Sequence, residues 1–497
     1  MQAKSNFPHP YFTSHPKWRW FVLGTVLVGA TMSALDVSIV NVALPTLQGD
    51  FRVKLALIEW VAMAYMLTLT IFLPLFGRLA DIFGRSRMYN TGFVVFTVGS
   101  ALCGLANTAG FLIGARVLQA IGAGLLQANS VALITQAFPA NERGRAIGIQ
   151  GAVQAIAMSV GPFVGGLLIS AVSWRAIFYV NVPIGIVGTF AALYVLPGAE
   201  KTHQRESIDY LGTALFATGL AFLVLAVNEG ESHGWSSHLI LAYFALAAVL
   251  LTAFIITEMR VRHPMIDLSL FKRYAFSAGN LTGMLSYYVL FAVLFLMPFY
   301  LEQVAGYTPA LTGTILTPIP LAMAIVAPFA GHLSDRIGSR IMTTSGMMIC
   351  AAATLLLVFL GGAPDRMVLI LELVVLGIGM GLFTPPNNSA IMGSAPKERL
   401  GVAGGILNMM RALGLIFGVD ISGVIFTSLE HGYLVAHGYA VQPLKGLPIA
   451  VREGAFLHGF APVMVTLLVI NIIAAILSVA KEDVLGPTDH AEPIDLM

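Results

Sequence analysis

A chain of 497 residues that is 57% hydrophobic and only 10% charged is not a soluble globular protein, in which about a quarter of residues carry charge. The formal net charge of +2 comes from basic residues scattered over many short segments, so there is no concentrated basic surface for nucleic acid. The two cysteines, Cys103 and Cys350, have no metal-ligand spacing and are expected to be buried free thiols.

Apolar stretches long enough to cross a bilayer recur along the chain. In order they are read near 18–42, 56–76, 88–107, 110–134, 145–170 and 176–196, then 210–227 and 238–256, then 275–300, 309–330, 341–361, 367–391, 401–428 and 457–480. The charged lead Met1–Lys17 runs into a first span too long for a signal-peptide core, so no cleavable leader is expected. With the N-terminus inside, 19 of the 27 Lys and Arg fall on cytoplasmic segments and 6 on external ones, while Arg116 and Arg411 fall within spans. That asymmetry puts both termini in the cytoplasm. The fold class is therefore an all-α polytopic membrane protein with 14 transmembrane helices.

The arrangement of the spans follows from an internal echo. Gly77-Arg-Leu-Ala-Asp-Ile-Phe-Gly-Arg-Ser-Arg87 returns as Gly331-His-Leu-Ser-Asp-Arg-Ile-Gly-Ser-Arg340, and Ile121-Gly-Ala-Gly-Leu125 returns as Ile378-Gly-Met-Gly-Leu382. Glu142-Arg143 has a weaker echo in Glu398-Arg399. A duplicated half in an all-helical membrane chain points to a transporter whose site lies between the halves. Six helices occupy about 180 residues and the repeat offset is about 255, so a surplus of about 75 residues, enough for two helices, lies between the copies. The expected order is a cytoplasmic lead at 1–17, a six-helix bundle at 18–199, a two-helix insert with its linkers at 200–273, a second six-helix bundle at 274–480 and a cytoplasmic tail at 481–497. This gives a 6+2+6 chain. The insert, Leu211–Val227 and Leu239–Ile256, has no ionisable residue in its core and is expected to pack against lipid or a partner, without part in transport.

Ionisable groups at bilayer depth cost at least about 2.5–3.5 kcal/mol and mark function. Asp36 in the first span and Arg116 in the fourth, which runs the other way, reach similar depth at about 1.5 Å per residue, so a pair is geometrically allowed. Arg116, Gln119, Gln127 and Ser130 share one face of the fourth span, which must look inward. Glu372 and Arg411 are further interior candidates. Asp420, Glu59, Glu258 and Glu302 are expected near the membrane interface. Span five carries Gly161-Pro162-Phe-Val-Gly165-Gly166, where proline bends a helix and small residues allow close contact. Thr384-Pro-Pro-Asn387-Asn388-Ser389 reads as a local helix break beside the central cavity.

In these residues the chain resembles the major facilitator superfamily, and within it the fourteen-helix drug:proton antiporters of the EmrB/QacA type. Leu35–Pro45 is similar to the first-helix motif of that group, Gly77–Arg87 to its loop motif, Arg116–Gly122 to its fourth-helix motif with Ala120 where Gly is usual, Val160–Gly166 to its antiporter motif, and Trp174–Gly185 to a further typical stretch. The resemblance implies a major facilitator fold and proton-coupled export. Asp36 would carry the proton with Arg116 assisting. Gly77, Arg78, Asp81, Gly84, Arg85 and Arg87 would form a cytoplasmic gate, and the motif Gly161, Pro162, Gly165 and Gly166 would favour exchange over uptake. Gln119, Gln127, Glu372, Asn387, Asn388 and Arg411 are the substrate-cavity candidates.

An enzyme or ATP-driven pump is disfavoured, since neither a Gly-x4-Gly-Lys-Ser/Thr loop nor a His-Glu-x2-His cluster occurs. The expected activity is antiport of amphipathic or cationic compounds across a bacterial cytoplasmic membrane, with no cofactor beyond the proton gradient. The competing reading is transport of a defined metabolite such as an amino acid, siderophore or sugar derivative. Protons, lipid and small molecules are the expected partners, with a periplasmic adaptor protein as a further candidate.

Overall fold

A computed structural model describes residues 15, 17–196, 209–261, 264, 266, 268–361, 365–396, 400–439 and 447–479. The regular elements among them are helices. We number them α1 (Trp18–Phe51), α2 (Leu55–Phe83), α3 (Arg85–Gly104), α4 (Ala109–Ala137), α5 (Ala140–Ala171) and α6 (Ala176–Val195). There follow α7 (Tyr210–His233), α8 (His238–Glu258) and α9 (Tyr274–Val304), and then α10 in two pieces, Pro309–Leu316 and Pro318–Ile337. The chain continues with α11 (Ser339–Val358), α12 (Arg366–Ser394), α13 (Leu400–Ala436) and α14 (Ile449–Val479). Among the described residues 13 helices are long and apolar enough to cross a membrane. The exception is α3, which has the length but opens on Arg85-Ser86-Arg87 and continues through Tyr89 and Asn90.

Helix starts follow local chemistry. Thr108, Asp209, Ser237, Thr308 and Asp365 each accept a hydrogen bond from a backbone N–H of the first turn that follows, satisfying donors that no earlier carbonyl can reach. The echo seen in the sequence is also an echo in the backbone. Gly84 (φ 96°) and Gly338 (φ 90°) each join two helices through a single residue, a conformation that glycine adopts without a Cβ clash. The expected break at Thr384–Ser389 does not occur: α12 runs unbroken through Pro385 and Pro386. The regular helix of α1 also extends past the expected 42 to Phe51.

Side-chain contacts show which helix ends lie together. The Trp174 indole donates to Asp50 at 2.7 Å and Arg175 to the Ala106 carbonyl at 3.1 Å, so the ends of α1, α3 and α5 share one level. We call this the turn-one end. At the opposite end Trp18 donates to the Val195 carbonyl at 2.9 Å, Arg19 pairs with Glu142 at 3.1 Å, and Arg273 donates to the Ser394 carbonyl at 2.6 Å.

Helix pairing is repeated. In the first set α3 packs on α4, α2 on α4, α1 on α5 and α3 on α6; in the second, α11 packs on α12, α10 on α12, α9 on α13 and α11 on α14. The α3–α4 contact is tight, because Gly122 lies on the Phe96 backbone and Gly99 on the Gln119 backbone. Gly122→Ala places a methyl group into main chain that cannot rotate away. It should cost about 1–3 kcal/mol, read as a lowered melting temperature in detergent, whereas Gly114→Ala, at a position with open space, should leave it unchanged.

The two sets meet where α5 packs on α10, α2 on α13 and α1 on α9. The named contacts between them lie toward the turn-one end. Gln303 donates to Gln48 at 3.2 Å and the Ala310 N–H to Ser170 at 3.1 Å. Gly166 rests on the Pro309 carbonyl and Gly313 on the Pro162 carbonyl.

The insert is a packed helix pair. Its second helix, α8, is largely exposed, but α7 packs on both α2 and α13. The Asn228 amide of α7 donates to Glu59 at 3.2 Å and to Asp420 at 3.3 Å, and its carbonyl accepts from the Trp60 indole at 2.9 Å. Glu59, Asn228 and Asp420 are buried. Both acids are thus shielded from solvent, with a buried amide lying between them. Glu258 is also buried and accepts from the Ile266 N–H at 3.0 Å.

Candidate functional site

At the centre of the first set, the Asp36 carboxylate and the Arg116 guanidinium are both fully buried and form an ion pair at 2.5 Å. Several elements hold it. Arg116 also donates to Gln119 at 2.6 Å and through Nε to the Val61 carbonyl at 3.0 Å. Its guanidinium lies 4.0 Å from the Tyr65 ring centroid, a cation–π contact that gains strength when dry. Gln119 donates to Asp36 Oδ1 at 2.7 Å and to Ser100 at 2.7 Å, and Asn181 of α6 donates to the same Oδ1 at 3.3 Å. Both carboxylate oxygens are thus engaged, Oδ1 by two amides and Oδ2 by the guanidinium.

The inward stripe of α4 continues toward the opposite end. Gln127 donates to Ser33 at 2.5 Å, and Ser130 accepts from Gln150 of α5 at 2.9 Å. Gly161 of α5 faces Ser38 and Gly165 faces Ile39, so the glycines of this motif seat α5 on α1 directly beside Asp36.

In the second set, Arg411 of α13 is half-buried. Its guanidinium lies 5.3 Å from the Tyr287 ring of α9 and donates to Asn408 at 3.3 Å. Glu372 is buried on α12, apart from the Asp36 network, and its Oε2 has no hydrogen-bond partner among the described residues. Asn387 does not present itself to open space: it donates to the Gly279 carbonyl at 3.0 Å and accepts from Thr282 at 3.3 Å, tying α12 to α9. Asn388 is half-buried. Gln119 is likewise consumed by the ion pair rather than lining a cavity. For the expected gate, the side chains of Arg78 and Asp81 lie outside the described residues. Gly77 has open space around it, Gly84 makes the turn, Arg85 is half-buried and Arg87 exposed.

Sequence reasoning passed over Asn181, Ser100, Tyr65 and the Asn228 cluster. For Asn181 and Asn228 the available signal was an amide inside an apolar run, which needs a partner as an ionisable group does.

A profile of the Major Facilitator Superfamily matches residues 26–419. The chain belongs to this superfamily. Among superfamily members, the riboflavin transporter RibZ of Clostridioides difficile is 39% identical over 82% of this chain and 89% of its own length. The multidrug resistance protein Stp of Mycobacterium tuberculosis is 37% identical over 82% and 76%, and the multidrug transporter protein MdtP of Bacillus subtilis is 31% identical over 89% and 84%. A crystal structure of a bacterial homolog of the human lysosomal transporter Spinster superposes with a TM-score of 0.68 at 15% identity, covering 94% of this chain and 97% of that one, a likeness of fold. The protein is therefore a multi-pass membrane transporter acting on small molecules, and not an enzyme.

Proposed function

We propose that this superfamily member is a proton-coupled antiporter of the fourteen-helix drug-export type, with α3 as a further crossing, a 6+2+6 order and both termini cytoplasmic, exporting amphipathic compounds. The observation that carries the reading is the dry Asp36–Arg116 pair beside the α1–α5 glycine contact. A lone titratable acid at bilayer depth, locked by a cation and two amides, can load a proton only when neighbouring helices shift, and that shift is what links proton entry to rocking of the halves. The similarity to Stp and MdtP, named as multidrug proteins, supports export.

By the positive-inside count the turn-one end is external, and the two sets meet there, so the arrangement is closed outside. From it the cycle runs as rocking to open the external end, proton entry to Asp36 driven by about 2.3 kcal/mol per charge per 100 mV, return, and proton release inside as substrate binds. The named similarity to RibZ supports a second reading, transport of one planar metabolite. Purified protein in proteoliposomes decides between them. Under an imposed pH gradient, export of several unrelated amphipathic dyes supports drug export, transport of riboflavin alone supports the second reading, and transport indifferent to the gradient refutes coupling.

A further inference from the structure

Asn408 and Arg411 lie on a defined arc of α13. Gly414 and Gly418 rest on the α9 backbone at Met284 and Tyr288, while Gly423 faces Glu59 of α2. Leu285 of α9 packs with Met347 of α11 and Ala474 and Ala475 of α14. At roughly 100° per residue Tyr287 lies on the other side of α9, so the Arg411–Tyr287 contact looks away from those outer helices, toward the gap between the two halves. Asn408 is exposed, and the guanidinium of Arg411 donates to it. Arg411 therefore leans into that gap and not toward lipid, where an arginine is costly.

The interior acids are committed elsewhere. Asp36 is paired with Arg116, Asp420 is held at Asn228, about 13 Å further along the same helix, and Glu372 is buried on α12. Among the described residues Arg411 has no carboxylate within ion-pair distance. Its guanidinium carbon lies over the Tyr287 ring, which is itself followed along α9 by the stacked ring of Phe291 at 6.4 Å. The charge offered to the gap is thus positive, planar and flanked by aromatic surface.

We propose that Arg411 with Tyr287 and Asn408 is a docking site for planar compounds carrying a carboxylate or similar oxyanion, rather than for organic cations. A guanidinium fork matches an oxyanion bidentately, and the Tyr287–Phe291 pair offers aromatic surface for edge-to-face contact with the attached ring system. A planar cation would meet an unneutralised like charge at the same place. This names the substrate class of the transport site proposed above and reverses the expectation of cationic cargo.

The test is equilibrium binding to detergent-solubilised protein, followed by fluorescence anisotropy, with fluorescein as the planar anion, ethidium as the planar cation and riboflavin as the neutral planar probe. Wild-type protein should bind fluorescein tenfold or more tightly than ethidium. Arg411→Gln should weaken fluorescein at least tenfold and riboflavin by less than threefold, and Arg411→Lys should keep part of the anion preference. Independently of any variant, benzoate should displace fluorescein from wild-type protein and benzamide should not. Tighter binding of ethidium, equal losses for all three probes in Arg411→Gln, or displacement by benzamide as well as benzoate would overturn the proposal. Because binding needs no gradient, anion-selective binding without export in liposomes would sink the antiport reading and leave this one standing.

Discussion

Asp36→Asn should abolish uphill, gradient-driven export and lower stability at the same time. The carboxylate is the partner of a buried Arg116 and accepts from Gln119 and Asn181 as well. An asparagine amide presents donors where donors already point and leaves a guanidinium unneutralised. Removing one member of a buried pair costs about 3–5 kcal/mol, a clear fall in melting temperature. The double variant Asp36→Asn with Arg116→Gln removes the stranded cation, so it should recover much of that stability while export stays lost. This separates folding from coupling: a double variant that melts like wild type and yet cannot drive dye against a pH gradient assigns the proton step to the Asp36–Arg116 pair. If Asp36→Asn still exports uphill with the normal pH dependence, the proton site lies elsewhere, and Glu372 is the next residue to replace.

The second large effect is expected at the insert. Asn228→Leu keeps the volume of the side chain but removes an amide that reaches acids on both α2 and α13. Each hydrogen bond to a charged group lost from this buried cluster costs about 1.5–3 kcal/mol, and the loss falls between α2 and α13, where the two sets meet. Spin labels at Gly49→Cys and Gly432→Cys, both with open space for a side chain, should report a shift toward longer separations in Asn228→Leu. Asn228→Asp should be worse, since it adds a third carboxylate to a dry cluster. An unchanged distance distribution in Asn228→Leu would return the insert to the passive role its apolar sequence suggested.

These two sites show what the sequence makes legible. The Asp36–Arg116 contact could be anticipated because both residues are rare at their depth, and because helix rise places them level when adjacent spans run in opposite directions. The Gly84 and Gly338 turns were visible as a repeated motif, and the structure gives them the same backbone twist. What stayed hidden was pairing across the two sets. Glu59 sits near the start of α2, where an acid ordinarily meets water, Asp420 lies in the middle of α13, and no linear pattern says that α7 brings an amide between them. Asn387 misled for the complementary reason: a polar residue beside two prolines looks like a cavity break, whereas its amide closes a helix–helix contact within an unbroken helix.

Gln48 and Gln303 are 255 positions apart, within the 254–257 offset of the repeated motifs, and hydrogen-bonded to each other, so matching ends of α1 and α9 touch through the same side-chain type. Two copies of one pattern related by a dyad meet themselves at the axis, and the residue placed there must be its own complement. An acid or a base would face a like charge, and a purely apolar side chain would give no directional bond. A primary amide carries donor and acceptor together, so it can pair with its twin. Mutational drift at this point is consequently coupled: Gln48→Glu alone can still accept from Gln303, whereas glutamate at both positions would set two acids against each other at the seam of the molecule.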